Sequence, residues 1–539
     1  MRNVAQIGAA IGREFPYALL RAVSRLSEDE LQTALARLVA SELVFQRGRP
    51  PDAVYMFKHA LVQDTAHGSL LRNARQQLHA RIAEALAAHS PEMMDSQPEL
   101  FAQHYAEAGL VKRAVAYWGK AGHRSAARSA MAEAAAQFQK ALDQLALLSG
   151  GPKRRRQELE FCSSLGAALR FVKGQAAPET GRVFARAREL WEQLDSPMEY
   201  LHVPYGQSRY HAYRGELDLA MRLDEDLLRL SRRRNDHSGL VLAHQACGTV
   251  QTLAGSFALS RSNLEAGLAL YDPASHRSLA YQTGTHPQVV SRAYLGIVLF
   301  CLGFPDQALA QSTAAITEAR RLAHPASLAS SLMIGAMLLS LVGDDGILDA
   351  RTADLVAVAI EQGFLFWRPV GALYRGWVKV RKDDVAEGIS LLRSGSAAYR
   401  ATGAELWMPH HTALLARACE IAGQIDEALT LLNDALQIGE RTGERWLEAE
   451  LNRHKGQLLL RLGNAEAAEE LYRKAQSIAE QQGAKLWELR AAMSLAQLRR
   501  DQGRNAEASH LLAPVYGWFT EGFGTPDLKE AKALLDELG

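Results

Sequence analysis

No C-x-x-C, no H-E-x-x-H and no G-x-x-x-x-G-K-[ST] occurs in this chain of 539 residues. The four cysteines, Cys162, Cys247, Cys301 and Cys419, lie far apart, which argues against disulfides and against a cysteine zinc site. The nearest fragment to a phosphate loop, Gly119-Lys120, is followed by Ala121 and preceded by Ala114, so it lacks both the hydroxyl and the first glycine that phosphate and magnesium binding require. His410-His411 has no carboxylate or second ligand pair at helical spacing. Catalytic residues, a metal and a cofactor are therefore not expected in this chain. Aromatic residues make up only 7%, and no apolar run is read as long enough to cross a membrane. The N-terminus carries one basic residue and an apolar stretch broken by Gln6, Gly8 and Gly12, a poor secretion signal, so a cytoplasmic location is expected. A formal net charge of +1 gives no global attraction to nucleic acid. The local basic runs Lys153 to Arg156 and Arg232 to Arg234 read as a solvated loop entering a helix and as the cationic end of one.

What is present is a period. Gly215 and Gly255 stand 40 apart, and Gly303, Gly343, Gly423, Gly463 and Gly503 fall on a second 40-residue grid whose missing slot is Asp383. The 48-residue step from Gly255 to Gly303 holds a polar, proline-bearing insert from Tyr271 to His286. Seven residues before each marker stands a small residue: Ser208, Gly248, Gly296, Ala336, Gly376, Ala416, Gly456 and Ala496. Five residues after it the side chain is again small, except at Leu348. A helical hairpin needs small side chains where its helices cross and a left-handed residue at its turn. A second column 20 residues on, Gly363, Gly403, Gly443 and Gly483 with Ala323, Ser275 and Asn235 earlier, should end the second helix of each unit, and Phe523 departs from it beside Gly522. The pattern resembles the tetratricopeptide repeat, lengthened from 34 to 40 residues. It predicts an all-α, tetratricopeptide-like α-solenoid, which offers a long concave surface for a protein, a peptide or a small ligand.

Trp367, Trp407, Trp446 and Trp487 follow the second column. They are candidate ligand contacts as an aromatic ladder, and packing between repeats is the simpler reading.

The first 90 residues are built differently. Ser27 and Glu30 form a capping box ahead of the apolar stripe Leu31, Leu35, Leu38 and Val39. Strand-like runs at 43–45 and 54–57 flank the turn residues Gly48 to Asp52. Three helices, a small hairpin and a further helix from about Lys58 give the order of a winged helix. Its third helix carries only Arg37 as a cation, which disfavours reading DNA. The expected division is a winged-helix-like domain at 1–71, a helical connector at 72–150 and the solenoid at 151–539.

The stretch Phe57-Lys58-His59-Ala60-Leu61-Val62-Gln63-Asp64, with Leu70-Leu71, Leu78-His79 and Ile82-Ala83, resembles a junction in large bacterial signalling proteins. Those proteins join a class III adenylate or guanylate cyclase, a P-loop signal-transduction ATPase and a tetratricopeptide array. The resemblance extends through Gly439 to Trp446 and the closing Tyr516-Gly517-Trp518-Phe519-Thr520-Glu521-Gly522-Phe523. It implies a sensor or scaffold region that follows the catalytic modules and regulates a linked or separate ATPase or cyclase, with Met1 an internal start or the edge of a fragment. ATP and magnesium are implied only for the ATPase module. It also implies that His59 could touch a nucleotide phosphate, although Ala60 stands where the family's motif has Asp, and a packing or capping His59 is the simpler reading. Two other readings are a truncated cyclase or ATPase bearing its family's name, and a winged-helix transcription regulator.

Overall fold

Ser27 begins a helix because its hydroxyl accepts from the Glu30 N–H while its own N–H donates to the Glu30 carboxylate, 2.9 Å away. The computed structural model, which describes all residues from Met1 to Gly539, places that helix third in a small N-terminal arrangement. The order is α1 (Arg2–Ile11), β1 (Glu14–Pro16), α2 (Tyr17–Val23), α3 (Glu28–Ala40), β2 (Val44–Arg47) and β3 (Val54–Phe57). The strands form one antiparallel sheet in the order β1-β3-β2, with Phe15 opposite Tyr55 and Phe45 opposite Met56. The hairpin of β2 and β3 falls where the sequence pattern placed it, and the first strand of the sheet was not evident from the sequence. Phe15, Tyr55 and Phe57 are buried with Leu31, Leu35 and Leu38 beneath them.

Helices α4 (Ala60–Gly68), α5 (Arg72–His89), α6 (Met93–Ser96), α7 (Pro98–Glu107), α8 (Val111–Ala127), α9 (Met131–Leu145) and α10 (Pro152–Val172) follow. The chain divides into two compact units, Met1–Phe161 and Cys162–Gly539, so the division falls inside α10. The expected joints at 71 and 150 lie between elements: Leu71 is the N-cap of α5, and Gly150 and Gly151 precede α10.

In the second unit eight helical hairpins repeat. Their first helices are His202–Tyr213, His237–Leu253, Pro287–Cys301, Pro325–Val342, Trp367–Arg381, Met408–Ile421, Glu448–Arg461 and Lys485–Asp501. Every marker sits at the turn with a left-handed backbone: the glycines have φ between 75° and 93°, and Asp383 has φ 67°. The second column behaves alike at Gly363, Gly403, Gly443, Gly483, Ala323 and Asn235. Ser275 is the exception; the second helix there stops at Leu270, and Ser275 lies in the short helix Pro273–His276 of the insert. The small residues meet where the two helices of a hairpin cross. A Cβ on Gly376 would stand 2.8 Å from the Gly388 carbonyl oxygen, and Ser260 Oγ donates to the Gly248 carbonyl at 2.7 Å.

Second helices bury one stripe, as in Ile425–Thr442, where Ala428, Leu432, Ala435 and Ile438 point inward at helical spacing. First helices are buried on nearly every side because the array winds back upon itself. The Tyr213 carbonyl accepts from Glu405 N–H at 2.8 Å, and one repeat on, the Leu253 carbonyl accepts from Arg445 and Trp446 N–H at 2.8 and 3.1 Å. Successive turns of the superhelix are thus joined by backbone hydrogen bonds. This winding corrects one sequence reading. Pro325–Val342 is an 18-residue helix of mean hydropathy 1.8, long and apolar enough to span a membrane, and 89% of it is buried inside the protein. Its apolarity serves a position enclosed by neighbouring helices, with every residue from Ala329 to Val342 buried.

Candidate ligand-binding cavity

The four candidate tryptophans lie inside. Trp367, Trp407, Trp446 and Trp487 are 2, 1, 0 and 1% exposed. A ladder that grips a ligand needs open ring faces, and these faces are covered: Trp407 packs on Tyr294 with centroids 5.8 Å apart, and Trp487 meets Phe300 edge-on at 5.7 Å. Trp487 Nε1–H donates to the Trp446 carbonyl at 3.0 Å, and Trp446 Nε1–H donates to Glu444 at 2.8 Å. The residues expected as possible ligand contacts are therefore interior packing between turns of the superhelix. Glu444 is itself enclosed; burial pushes its carboxyl up to about 8, against the donors from Trp446 and the Trp407 backbone.

His59 is the N-cap of α4, is exposed, and makes no side-chain capping hydrogen bond. Its ring therefore lies free at a helix N-terminus.

A cavity of about 440 Å3 opens instead among the first helices of the later repeats. Its walls come from Pro325–Val342, Trp367–Arg381, Met408–Ile421, Glu448–Arg461 and Lys485–Asp501, with Asp527 and Glu530 from the last helix, Pro526–Leu538. Four consecutive first helices each contribute one arginine to this space: Arg381, Arg417, Arg453 and Arg490.

Three of these arginines are paired. Arg490 grips Asp527 through two hydrogen bonds of 2.7 and 2.9 Å, lies 3.3 Å from Glu450, and donates to the Leu341 carbonyl at 2.7 Å. Arg453 binds Glu450 through Nε and Nη2, both at 2.7 Å, and Arg381 meets Asp345 at 2.9 Å. Burial would raise Glu450, but Arg453, Arg490 and Arg417 outweigh it and hold the carboxyl at about 2. Arg417 differs. Its guanidinium lies over the Trp377 ring, 5.2 Å from the centroid, and it has neither a hydrogen bond nor an ion pair within 4.0 Å. Burial lowers its affinity for its proton, and the field of Glu450 opposes that shift. A partly buried cation that is stacked and unpaired leaves its donors directed at whatever enters the cavity.

Helix α3 of the N-terminal unit shows no comparable basic face. Exposed Glu28, Asp29, Glu30 and Gln32 dominate α3, with Arg37 its one cation.

Residues 408–481 match the family model described as tetratricopeptide repeat. An uncharacterized protein of Rhizobium meliloti is 27% identical over 509 residues, an overlap that takes in 92% of this chain and 48% of the relative, so the chain spans about half the length of that relative. Among solved structures, a Rap protein complexed with competence and sporulation factor gives a TM-score of 0.48 at 12% identity, over 68% of this chain and 98% of that one. Yeast Tom70 gives 0.33 at 11% identity, over 85% and 96%. A signal-transduction ATPase with a tetratricopeptide repeat sensor from Pyrococcus horikoshii gives 0.31 at 10% identity, over 100% of this chain and 64% of that one.

Proposed function

We propose that this chain is a non-catalytic sensor region whose superhelix takes a protein, peptide or small ligand into the cavity through an anionic group, and that occupancy regulates a linked ATPase or nucleotide cyclase. The observation that carries the reading is Arg417, unpaired over Trp377 on the wall of a cavity of about 440 Å3. That volume lies within the range of small-ligand sites, roughly 300–1,000 Å3. The neighbouring arginines are held by carboxylates, so the one free guanidinium sets where an anion binds. The regulatory half rests on the resemblance of the Phe57 to Asp64 stretch and of the C-terminal string to multidomain signalling proteins. His59, exposed at the start of α4, is where the nucleotide state of an ATPase module would be read.

The test is a thermal-shift and calorimetric screen of carboxylate- and phosphate-bearing metabolites and acidic peptides against the whole chain, repeated on Arg417→Ala. A ligand that binds the native chain and loses at least about tenfold in affinity on the variant, roughly 1.4 kcal/mol, supports the cavity. Equal binding by both overturns it. Regulation is tested in a longer relative that carries an ATPase: the ligand should change ATP turnover in the native protein and leave the Arg417→Ala counterpart unchanged.

A further inference from the structure

Three helices of the N-terminal unit bring two histidines and a glutamate to one point. His67 is in the last turn of α4, His79 in α5 and Glu107 at the end of α7. The Nε2 atoms of His67 and His79 face each other at 3.2 Å. One ligand atom from each of the three residues lies within 4.8 Å of the other two. Nitrogen ligands at about 2.0–2.1 Å from a tetrahedral ion stand about 3.3 Å from each other, so the two imidazoles already have the spacing that an ion between them would impose.

We propose that His67, His79 and Glu107 form a binding site for a divalent transition metal of the zinc class. The set of two imidazoles and one carboxylate is a donor combination that such ions accept, with a fourth position left to water. Access fits that arrangement. The Glu107 side chain is 41% exposed and His67 is half-buried, while His79 is enclosed. His79 also has the outer partner that orients a ligating ring: its Nδ1 lies 2.9 Å from His104 Nδ1. A metal on Nε2 places the His79 proton on Nδ1, and His104 Nδ1 accepts it. Arg75, 3.7 Å from Glu107, is the carboxylate's present partner and is displaced by the ion. Bound metal would staple α4 to α5 and α7. The site does not depend on the cavity of the second unit.

The experiment uses the tag-free whole chain, stripped by a chelator and titrated with cobalt(II), followed by zinc(II). The expected result is one equivalent of cobalt giving the visible bands of a four-coordinate site, bleached by zinc, with a higher Tm for the zinc form. His67→Ala and Glu107→Gln, neither in the apolar core, should keep the native circular dichroism and weaken cobalt binding at least about tenfold. Absence of the bands, or unchanged binding in both variants, overturns the site.

Discussion

A Cβ added to Gly456 would stand 2.7 Å from Cε1 of Tyr472, in the first and second helices of the same hairpin, and 3.1 Å from the Ala468 carbonyl oxygen. Tyr472 is 1% exposed and has no room to retreat. Gly456→Leu, and likewise Ala416→Leu in the equivalent slot, should therefore overpack the crossing and lower stability by about 1–3 kcal/mol or more. Gln481→Ala, on an exposed surface, should change it by less than about 0.5 kcal/mol. Urea unfolding of the three variants checks this; equal midpoints would show that the small-residue column does not mark the crossings.

Asp383 occupies a marker slot that glycine fills in the other seven repeats, and it holds the same left-handed backbone with φ 67°. An L side chain there is strained. At Gly423, Gly463 and Gly503 a Cβ would meet nothing within 4 Å, so the strain at this position of the turn is conformational rather than steric crowding from neighbours. Asp383→Gly is expected to stabilise the protein by up to about 1 kcal/mol, and Gly463→Ala to destabilise it by a similar amount. Paired denaturation curves with opposite shifts are the expected outcome, and shifts of the same sign would refute it.

The hairpins were legible because their determinants are local. A glycine at a turn and a small residue seven positions earlier act within one unit, and the same rule repeats eight times. Contacts between turns of the superhelix were not legible, since nothing in Trp446 or Leu253 announces a partner so far along the chain; the tryptophan column is explained only by that winding. The strand Glu14-Phe15-Pro16 escaped notice because three residues with one proline give no alternating pattern, and pairing with β3 is what extends them. The apolar length of Pro325–Val342 does not show as an unbroken apolar run because Ser327, Ser330, Ser331 and Ser340 interrupt it. Arg417 became distinct only when the other arginines found carboxylates. His67, His79 and Glu107 are spread over three helices, so no ligand spacing could reveal them.

Buried histidines set the acid limit. Burial pushes His202 down to about 4 and His411 to about 3, and His286 and His324 fall to about 4 for the same first cause. Their folded values lie below the unfolded value near 6.5, so the unfolded chain binds more protons, and stability present above pH 6.5 is lost as pH falls toward 4 and 3. Each fully titrating histidine contributes a slope of up to about 1.4 kcal/mol per pH unit. Glu444 acts in the other direction. Its folded value of about 8 lies above the unfolded 4.5, so its contribution is full below pH 4.5 and lost as pH rises through 8. Urea midpoints should fall steeply from pH 6.5 to 4, and Glu444→Gln should lessen the decline between pH 7 and 8. A flat acid limb would contradict the buried neutral histidines.

Arg209 and Asp224 form an ion pair between the first and second helices of the first hairpin, with side chains 5% and 0% exposed. Arg209 also donates to Ser208 Oγ at 3.0 Å, and Tyr205 lies beneath its guanidinium. Breaking the pair from one side leaves a buried charge without a counter-charge. Asp224→Ala should cost about 3–5 kcal/mol. Removing both charges leaves no such orphan, so the double variant Arg209→Met with Asp224→Leu should be more stable than Asp224→Ala alone, despite carrying two substitutions. If the double variant is instead the less stable of the two, the penalty comes from lost packing in that hairpin rather than from the unpaired guanidinium.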